Sequence, residues 1–345
     1  MSTKYCVWNN KGGVGKTFLT YSLAVEYAEK NPEKNIVVID LCPQANVSSM
    51  ILGGNGDGEE ELKKVSDTRR TIADYIKQRN DGSRYSRTGM ESIFVEQASI
   101  RNHKMPKNLF LIAGDIDLDL CSYIIDNIAS EPRRTSWRTS RLMLLDIIKV
   151  FEEMHADKKN VFFIDTNPSF ANYTQLGILA SDRLIIPCTA DSFSLRAIYN
   201  VLRLVYGKKI GTNPIDEEND YVNFFDQVQT NGLPLPKIHS LILNRSRTFD
   251  KKASVAYRSH TEEIRERIQS LRSEFPDLFL SEYKNKNIVY DVKDCNTISA
   301  VLNYTGEIPS KLRQKIYNVY GKRTVVNDTQ KQPYLENLNS IIASL

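Results

Sequence analysis

Blocks of apolar residues alternate along the chain with mixed blocks in a way that predicts strands separated by helices. Short apolar runs lie at 5–8, 34–40, 108–114, 161–165, 182–187 and 238–245. Helix-like composition lies at 18–30, 59–64, 71–79 and 138–154. Strands without polar interruptions are typical of a parallel sheet that is covered on both faces. The pattern therefore predicts an α/β fold, with a mostly parallel twisted sheet and helices on both faces.

Polar and glycine-rich stretches interrupt this pattern without dividing it into two domains. Gly53–Gly58, 81–87 and 213–220 have the composition of loops. We predict a single domain over 1–345, with a polar insertion at about 53–106 whose role the residues do not indicate. The part at about 246–345 is basic and is predicted to be mainly helical, although 287–290 has strand composition.

The end of the chain carries an apolar helical stripe. It consists of Tyr334, Leu335, Leu338, Ile341, Ile342 and Leu345. Helices that lie on membranes carry Lys or Arg on their polar face, and this polar face has none. We therefore expect the helix to pack on its own domain or on a partner, and we expect no membrane association. No run approaches the roughly 20 apolar residues of a membrane span, and no signal peptide is expected.

Composition narrows the class of protein further. The chain has 46 basic and 42 acidic residues, so its net charge is only +4, and any nucleic-acid site must come from local clustering. Its five cysteines are scattered without C-x-x-C spacing. This spacing argues against a zinc site or a disulfide framework and suits a cytoplasmic protein.

The stretch Asn9–Thr17 carries the strongest chemical signal, because it joins the first apolar run to the first predicted helix. It fits the pattern G-x-x-x-x-G-K-T, except that Asn10 replaces the first glycine. Glycines let successive backbone N–H groups point at phosphate oxygens, and the helix start adds its positive dipole end. Lys16 would reach the β- and γ-phosphates, and the Thr17 hydroxyl would bind Mg²⁺. The predicted cofactors are therefore ATP and Mg²⁺.

With Lys11 before the glycines, the loop reads Lys-Gly-Gly-x-Gly-Lys-Thr, which resembles the deviant Walker A loop of the ParA/MinD family of dimerising ATPases. The resemblance implies a SIMIBI-like P-loop NTPase fold and an ATP-sandwich homodimer in which Lys11 reaches the partner's nucleotide. It also implies nucleotide contacts along the whole loop. These residues are Lys11, Gly12, Gly13, Val14, Gly15, Lys16, Thr17 and Phe18.

Two carboxylates at strand ends extend the resemblance. Asp40 begins a segment similar to the family's D-x-D-P-Q-x-N motif, with Cys42 where the second aspartate is common. The resemblance implies that Asp40 orients the attacking water. Asp165 follows the apolar run 161–164 and would hold the Mg²⁺ shell through water, although Asn167 departs from the usual D-x-P-P. Either aspartate, read alone, also fits a strand-end cap.

Asn244 ends the apolar run 238–243. In relatives an asparagine at this place contacts the adenine edge, and the alternative is a residue that simply forms a turn.

Two basic clusters follow. The first contains Arg245, Arg247, Lys251, Lys252 and Arg258, and the second contains Lys311, Arg313, Lys315, Lys322 and Arg323. ParA-like ATPases bind DNA without sequence preference in the ATP state, and lysines and arginines would supply the phosphate contacts. The alternative is ordinary solvated helix faces. The resemblance adds a ParB-like adaptor that stimulates hydrolysis, and nucleoid association in the ATP state.

We thus predict a DNA partition ATPase that dimerises on Mg-ATP, binds DNA nonspecifically and is released on hydrolysis. Two alternatives remain at this point. One is a positioning or regulatory ATPase that acts on a protein partner without DNA. The other is a phosphotransferase like the bacterial tyrosine kinases, which usually end in a tyrosine cluster, whereas this tail holds only Tyr334.

Overall fold

The computed structural model describes residues 2–81, 86–191, 193–210, 223–246, 251–283, 286–293 and 296–345, with backbone only at 245–246, 251–258, 283 and 296. The strands are β1 (Thr3–Val7), β2 (Asn35–Leu41), β3 (Glu96–Gln97), β4 (Leu109–Ile112), β5 (Asn160–Thr166), β6 (Arg183–Cys188), β7 (Lys237–Ser246), β8 (Val289–Lys293), β9 (Ile316–Val319) and β10 (Lys322–Val325). The longer helices are α1 (Lys16–Lys30), α2 (Asn46–Leu52), α3 (Gly54–Asp67), α4 (Ile72–Asp81), α5 (Ala98–Arg101), α6 (Leu118–Ala129), α7 (Ser136–Arg141), α8 (Met143–Met154), α9 (Asn172–Leu179), α10 (Ser194–Tyr206), α11 (Phe224–Thr230), α12 (Lys251–Glu274), α13 (Asn296–Thr305) and α14 (Asp328–Ile342).

The main sheet has eight strands in the order β3-β4-β2-β5-β1-β6-β7-β8. All neighbours are parallel except β3, which is antiparallel to β4. Successive residues of β2 face opposite sides, so that Ile36 and Val38 join the core under α1 and α14, while Val37 and Ile39 join the core under α4, α6 and α8. Both faces are therefore covered, and the predicted fold is confirmed.

The predicted helix over 138–154 is interrupted. α7 ends at Arg141, Leu142 takes φ −102° and ψ 5°, and α8 begins at Met143. Arg141 is 5% exposed and donates to the side chains of Asn172 and Gln175. The break lets α7 make these polar contacts with α9 while α8 packs its apolar face on the sheet, and a single straight helix would not serve both.

The prediction of a loop at Gly53–Gly58 is wrong, because α3 begins at Gly54. The glycines allow close packing of backbones. A Cβ on Gly58 would meet the Ser49 carbonyl oxygen at 2.0 Å, and one on Gly54 would meet the Asn303 carbonyl oxygen at 2.6 Å. The predicted loop at 213–220 lies outside the described residues, as do positions 82–85 of the loop at 81–87.

The C-terminal part is less helical than predicted. β8 extends the main sheet beside β7, and β9 pairs with β10 in a separate antiparallel hairpin. The expectation that the tail helix packs on its own domain is confirmed, since Tyr334, Leu338 and Ile341 of α14 are buried in the core. The Tyr334 hydroxyl also donates to Ser22 Oγ at 2.7 Å. Across the described part of the chain, no helix combines the length and apolar character that crossing a membrane requires.

His239 in β7 gives the fold a pH dependence. Its side chain is 1% exposed, and Nε2 lies 3.0 Å from the Ser344 carbonyl oxygen. Burial lowers the pKa of His239 to about 4. The unfolded chain, with an ordinary imidazole pKa near 6.5, therefore binds the proton more readily than the folded chain. Stability from the neutral ring is complete above about pH 6.5 and is lost as the pH falls towards about 4.

We expect this single group to remove about 3 kcal/mol from the free energy of unfolding between those pH values. Buried carboxyls with a raised pKa stabilise the folded state as the pH falls, which is opposite to the effect of His239. The test therefore compares the wild type with a variant that lacks His239. Urea unfolding of the wild type and of His239→Gln would be measured from pH 7 to 4. The difference in unfolding free energy between the two proteins should change by that amount over this pH range. A difference that stays constant with pH would contradict the role given to His239.

Candidate functional site

The loop between β1 and α1 is shaped to receive phosphates. Gly13 and Gly15 have φ of +73° and +81°, a left-handed conformation that glycine adopts without strain. A Cβ on Gly12 or Gly13 would meet nothing within 4 Å, so the inner side of the loop is open. A Cβ on Gly15 would meet Asn244 Nδ2 at 2.1 Å, so a larger residue here would displace the Asn244 side chain.

Lys16 lies folded into this loop. Its side chain is 5% exposed, and Nζ donates to the carbonyl oxygens of Asn9 at 3.1 Å and Lys11 at 3.0 Å. Burial lowers the pKa of Lys16 to about 8, although the Asp165 carboxylate acts against the shift. The ammonium therefore remains mostly charged at neutral pH. Phosphate oxygens would be stronger partners for it than these carbonyl groups.

Asp40 and Asp165 lie opposite each other at the carboxyl ends of the adjacent parallel strands β2 and β5. Both side chains are fully buried. Burial raises the pKa of each carboxyl, and the nearby Asp40 charge raises that of Asp165 further, while hydrogen bonds to each act against the shift. Two carboxyls so placed favour a cation nearby, because a positive charge would let both ionise.

The hydrogen bonds of Asp40 hold the turn after β2. Oδ1 accepts from the Cys42 N–H, and Oδ2 accepts from the Ser48 N–H at 3.0 Å and the Ser48 hydroxyl at 2.7 Å. Both oxygens are thus engaged, and neither reaches solvent. The structure therefore shows Asp40 as an anchor of this turn, and its implied contact with an attacking water stays a prediction.

Asp165 has one oxygen available for a metal shell. Oδ1 accepts from the Thr20 hydroxyl at 3.0 Å, whereas the buried Oδ2 has no hydrogen-bond partner. A hydrogen bond from Thr17 also lowers the pKa of this carboxyl. An orphaned carboxylate oxygen beside the Thr17 hydroxyl fits the water shell of Mg²⁺, which dehydrates reluctantly. Within the described ranges, no group of three or more His, Cys, Asp and Glu side chains is placed to hold a metal ion.

A cavity of about 390 Å³ opens beside the loop. Its lining combines the loop, the turns after β2 and β5, and α2, α3 and α13. The lining residues are Gly13, Gly15, Lys16, Thr17, Phe18, Cys42, Gln44, Asn46, Met50, Asn55, Thr166, Pro168 and Asn303. Cys42, not Asp40, faces this space. Burial raises the pKa of the Cys42 thiol, so it stays neutral and cannot act as a base at physiological pH.

The Lys11 side chain points away from its own loop. Nζ donates to Asp191 Oδ2 at 2.5 Å and to Thr189 Oγ1 at 2.9 Å, in the turn after β6. Partial burial would raise the pKa of Asp191, but the bonds from Lys11 and Thr189 lower it to about 2. The Lys11 side chain is 26% exposed. It is thus held within its own subunit, and this ion pair must open before Lys11 reaches another molecule.

Two asparagines, Asn244 and Asn9, hold the phosphate loop in place. Asn244 Nδ2 donates to the Val14 carbonyl oxygen at 3.0 Å, which supports the loop from below. Asn9 was not singled out by the sequence, yet it is buried and ties the loop to β6 through the Pro187 carbonyl oxygen at 2.7 Å. Its position just before the glycines was the available signal.

The first basic cluster is described only in part. Arg245 is the penultimate residue of β7, and α12 carries Lys251, Lys252 and Arg258. For all four residues only the backbone is described. Arg247 lies outside the described residues.

A glycine-rich loop that leads from a central parallel strand into a helix, beside two strand-end carboxylates, defines the class of P-loop nucleotide-binding proteins. A family model described as AAA domain (AAA_31) matches residues 2–213. The chain therefore belongs to this family of ParA/MinD-like P-loop proteins.

Curated relatives are distant. An uncharacterized protein of Methanocaldococcus jannaschii is 28% identical over 57% of this chain, and the chain spans only 62% of that protein's length. A ParA family protein of Mycoplasma genitalium is 21% identical over 72% of this chain and 78% of its own.

Solved structures show the same fold. Apo McdA of Cyanothece has a TM-score of 0.60 at 15% identity, over 99% of each chain. The pNOB8 ParA structure has a TM-score of 0.56 at 16% identity, over all of this chain and 97% of that one. McdA has also been solved as an ATP complex, with a TM-score of 0.57.

Proposed function

We propose that this chain is a ParA-like ATPase that dimerises on Mg-ATP, binds duplex DNA nonspecifically in that state and releases it on hydrolysis. The observation that carries the proposal is the placement of its two lysines. Lys16 is buried in the phosphate loop, while the Lys11 side chain is partly exposed and donates to no part of its own loop. Once its ion pair with Asp191 opens, this cation could reach a nucleotide held by a second copy.

Nucleotide binding would use backbone and side-chain groups of the phosphate loop. The N–H groups of Gly12, Gly13, Val14 and Gly15 would surround the phosphates, Lys16 would exchange its carbonyl partners for phosphate oxygens, and Phe18 would contact the nucleotide from α1. Mg²⁺, when bound, neutralises the phosphates and supplies Lewis-acid assistance. Thr17 would bind it directly, and Asp165 would hold its water through the free Oδ2.

Closure of the dimer would place a second cation on each nucleotide. Phosphoryl transfer is catalysed mainly by positioned charge, since little covalent chemistry is required of the protein. Lys11 would leave Asp191 and contact the partner's phosphates, where negative charge grows during the reaction. Hydrolysis removes the γ-phosphate, so this contact is lost and the dimer loosens.

Hydrolysis in this chain should be slow. Asp40 anchors the turn after β2, and the group that faces the cavity is the neutral thiol of Cys42. Neither is placed to take a proton from an attacking water. A ParB-like adaptor would then set the time spent on DNA by accelerating this step.

DNA binding would use Arg245, Arg247, Lys251, Lys252 and Arg258, of which Arg245 lies in β7 and Lys251, Lys252 and Arg258 lie in α12. Support comes from their spacing, in which one acid, Asp250, accompanies five cations. It also comes from the likeness of the fold to ParA. A dimer presents the cluster twice, so closure doubles the phosphate contacts and gives a physical reason for ATP dependence.

The test is binding to a nonspecific 30-bp duplex with ATP, with ADP and without nucleotide, over a salt series. We expect binding only with ATP, with a steep loss as salt rises. Absence of binding in every state, with ATP binding verified, would remove the DNA role. It would favour a positioning ATPase that acts on a protein partner.

A further inference from the structure

Residues 308–327, near the end of the chain, form a basic segment. This stretch has five cations and no acid, the cations being Lys311, Arg313, Lys315, Lys322 and Arg323. A cavity of about 400 Å³ lies at its base, where His103 and Lys104 add to Lys311, Arg313 and Lys315, with Glu307 also in the lining. Two separate parts of the chain thus contribute positive charge to one surface.

Within residues 308–327, strands β9 and β10 form a hairpin, which we call the hairpin arm (Ile316–Val325). Tyr320 and Gly321 have φ of +50° and +76°, which suits the tight turn between its strands. Tyr317 and Val319 are buried against the body of the protein. The opposite face pairs Asn318 with Arg323 and Ile316 with Val325, and all four are exposed. The hairpin arm therefore presents one complete face to solvent.

The charges on this surface are mostly not neutralised. Lys311 forms an ion pair with Glu29 at 2.7 Å. Arg313, Lys315, Lys322 and Arg323 are exposed, and no carboxylate of the described residues lies within ion-pair distance of any of them. Lys315 instead lies 4.6 Å from the centre of the Tyr317 ring. Four such cations, two on the hairpin arm (Lys322 and Arg323) and two just before it (Arg313 and Lys315), favour a polyanionic ligand.

We infer that the hairpin arm, together with the residues just before it, binds the phosphodiester backbone of duplex DNA through these four cations. The inference rests on the proposed function and deepens it, because it names a contact surface separate from the start of α12. A two-stranded ribbon has the right width for the major groove of B-DNA. Arg323 on the exposed face and Lys322, which is exposed beside the turn, would contact phosphates along the groove, and Arg313 and Lys315 would contact them at the base.

The tip of the hairpin arm is also connected to the nucleotide cavity. The Tyr320 hydroxyl accepts from Asn55 Nδ2 at 2.5 Å, and its ring lies edge-on to Tyr304 with 5.0 Å between centres. Asn55 and Asn303 both line the cavity beside the phosphate loop. Nucleotide that displaces either residue would therefore move the support of the hairpin tip, which gives a route from ATP binding to DNA contact within one subunit.

An anionic membrane is the other ligand that cations near exposed apolar residues would suit. The arrangement favours DNA, because Asn318 and Arg323 lie between the Ile316–Val325 pair and Tyr320 on the exposed face. The apolar residues therefore make no continuous surface for insertion into lipid. A membrane ligand is treated as an outcome of the test.

The test compares Lys322→Glu/Arg323→Glu with a control of equal charge change, Lys158→Glu/Lys159→Glu. The control lysines are exposed and precede β5, at the sheet end opposite the nucleotide cavity. Both proteins would be assayed with ATP on a nonspecific 30-bp duplex, after ATP binding and thermal melting are shown to be unchanged. We expect the hairpin variant to lose affinity by about 10-fold or more with a shallower salt dependence, and the control to change by about 2-fold or less.

Each other outcome overturns the inference in a distinguishable way. If the wild type binds DNA and both variants behave alike, the hairpin arm is not a contact surface and the proposed function stands. If the wild type binds no DNA in any nucleotide state, the proposed function fails and the inference fails with it. If the hairpin variant keeps duplex binding but loses binding to phosphatidylserine vesicles, the arm serves a membrane.

Discussion

Replacement of Lys11 by alanine should leave ATP bound to single subunits and should lower the rate of hydrolysis by about 10³-fold. The magnitude follows from cations that are supplied in trans to a transferring phosphoryl group. In the free chain the Lys11 side chain is paired with Asp191 and contributes nothing to its own phosphate loop, so removing it costs the monomer only a surface ion pair. ATP-dependent association should fail together with hydrolysis, because both need the same contact.

The measurement is the steady-state ATPase rate together with ATP affinity and mass in solution. Lys4→Ala is a matched control, since Lys4 also forms a partly exposed ion pair, with Asp182 at 3.0 Å, far from the loop. It should keep the wild-type rate and the wild-type mass. Full ATP-dependent dimerisation and hydrolysis in Lys11→Ala would contradict the role assigned to Lys11.

Replacement of Cys42 by aspartate should raise the rate of hydrolysis by about 10-fold or more. A carboxylate at this position would face the cavity in which the Cys42 thiol now lies, and it would accept a hydrogen bond from the attacking water. Positioned proton acceptors accelerate reactions by about 10²- to 10⁴-fold in other enzymes. The smaller acceleration expected here allows for imperfect placement of the new carboxylate. Bound Mg²⁺ would offset repulsion from Asp40 and Asp165.

Cys42→Asn is the control, because it has nearly the shape of aspartate without its charge or its basicity. Its rate should stay close to that of the wild type, and ATP affinity should be similar in all three proteins. An unchanged rate in Cys42→Asp, with ATP still bound, would show that another residue orients the water. The neutral thiol of Cys42 would then no longer explain slow hydrolysis.

Much of the sheet and the loop could be predicted from the sequence because local signals and tertiary structure agree there. Uninterrupted apolar runs become the central strands, and Gly13 and Gly15 take the left-handed conformation that the loop pattern requires. Asp40 and Asp165 lie at one edge of the sheet because both lie at the carboxyl ends of parallel strands, but the direct pairing of β2 with β5 was not predicted. The sequence could not show that both Asp40 oxygens would be engaged by Ser48 and Cys42, which is a property of the folded turn.

The sequence also did not indicate features that depend on contacts between residues far apart along the chain. Gly54 and Gly58 have the composition of a loop, but packing against α2 and α13 keeps them in a helix. The ion pair of Lys11 joins residues 180 positions apart. The hairpin arm did carry a local signal, alternating residues on either side of Tyr320-Gly321, but its basic residues suggested a helical surface instead.

The most direct test of the whole account is the mass of the protein in solution with Mg-ATP, with Mg-ADP and without nucleotide. Light scattering after size exclusion, with Lys11→Ala alongside, would give all the values in one experiment. We predict twice the chain mass of 39.4 kDa with ATP, and a single chain in the other states and in the variant. A single chain with ATP bound to every subunit would contradict the ATP-driven dimer on which the proposed function depends.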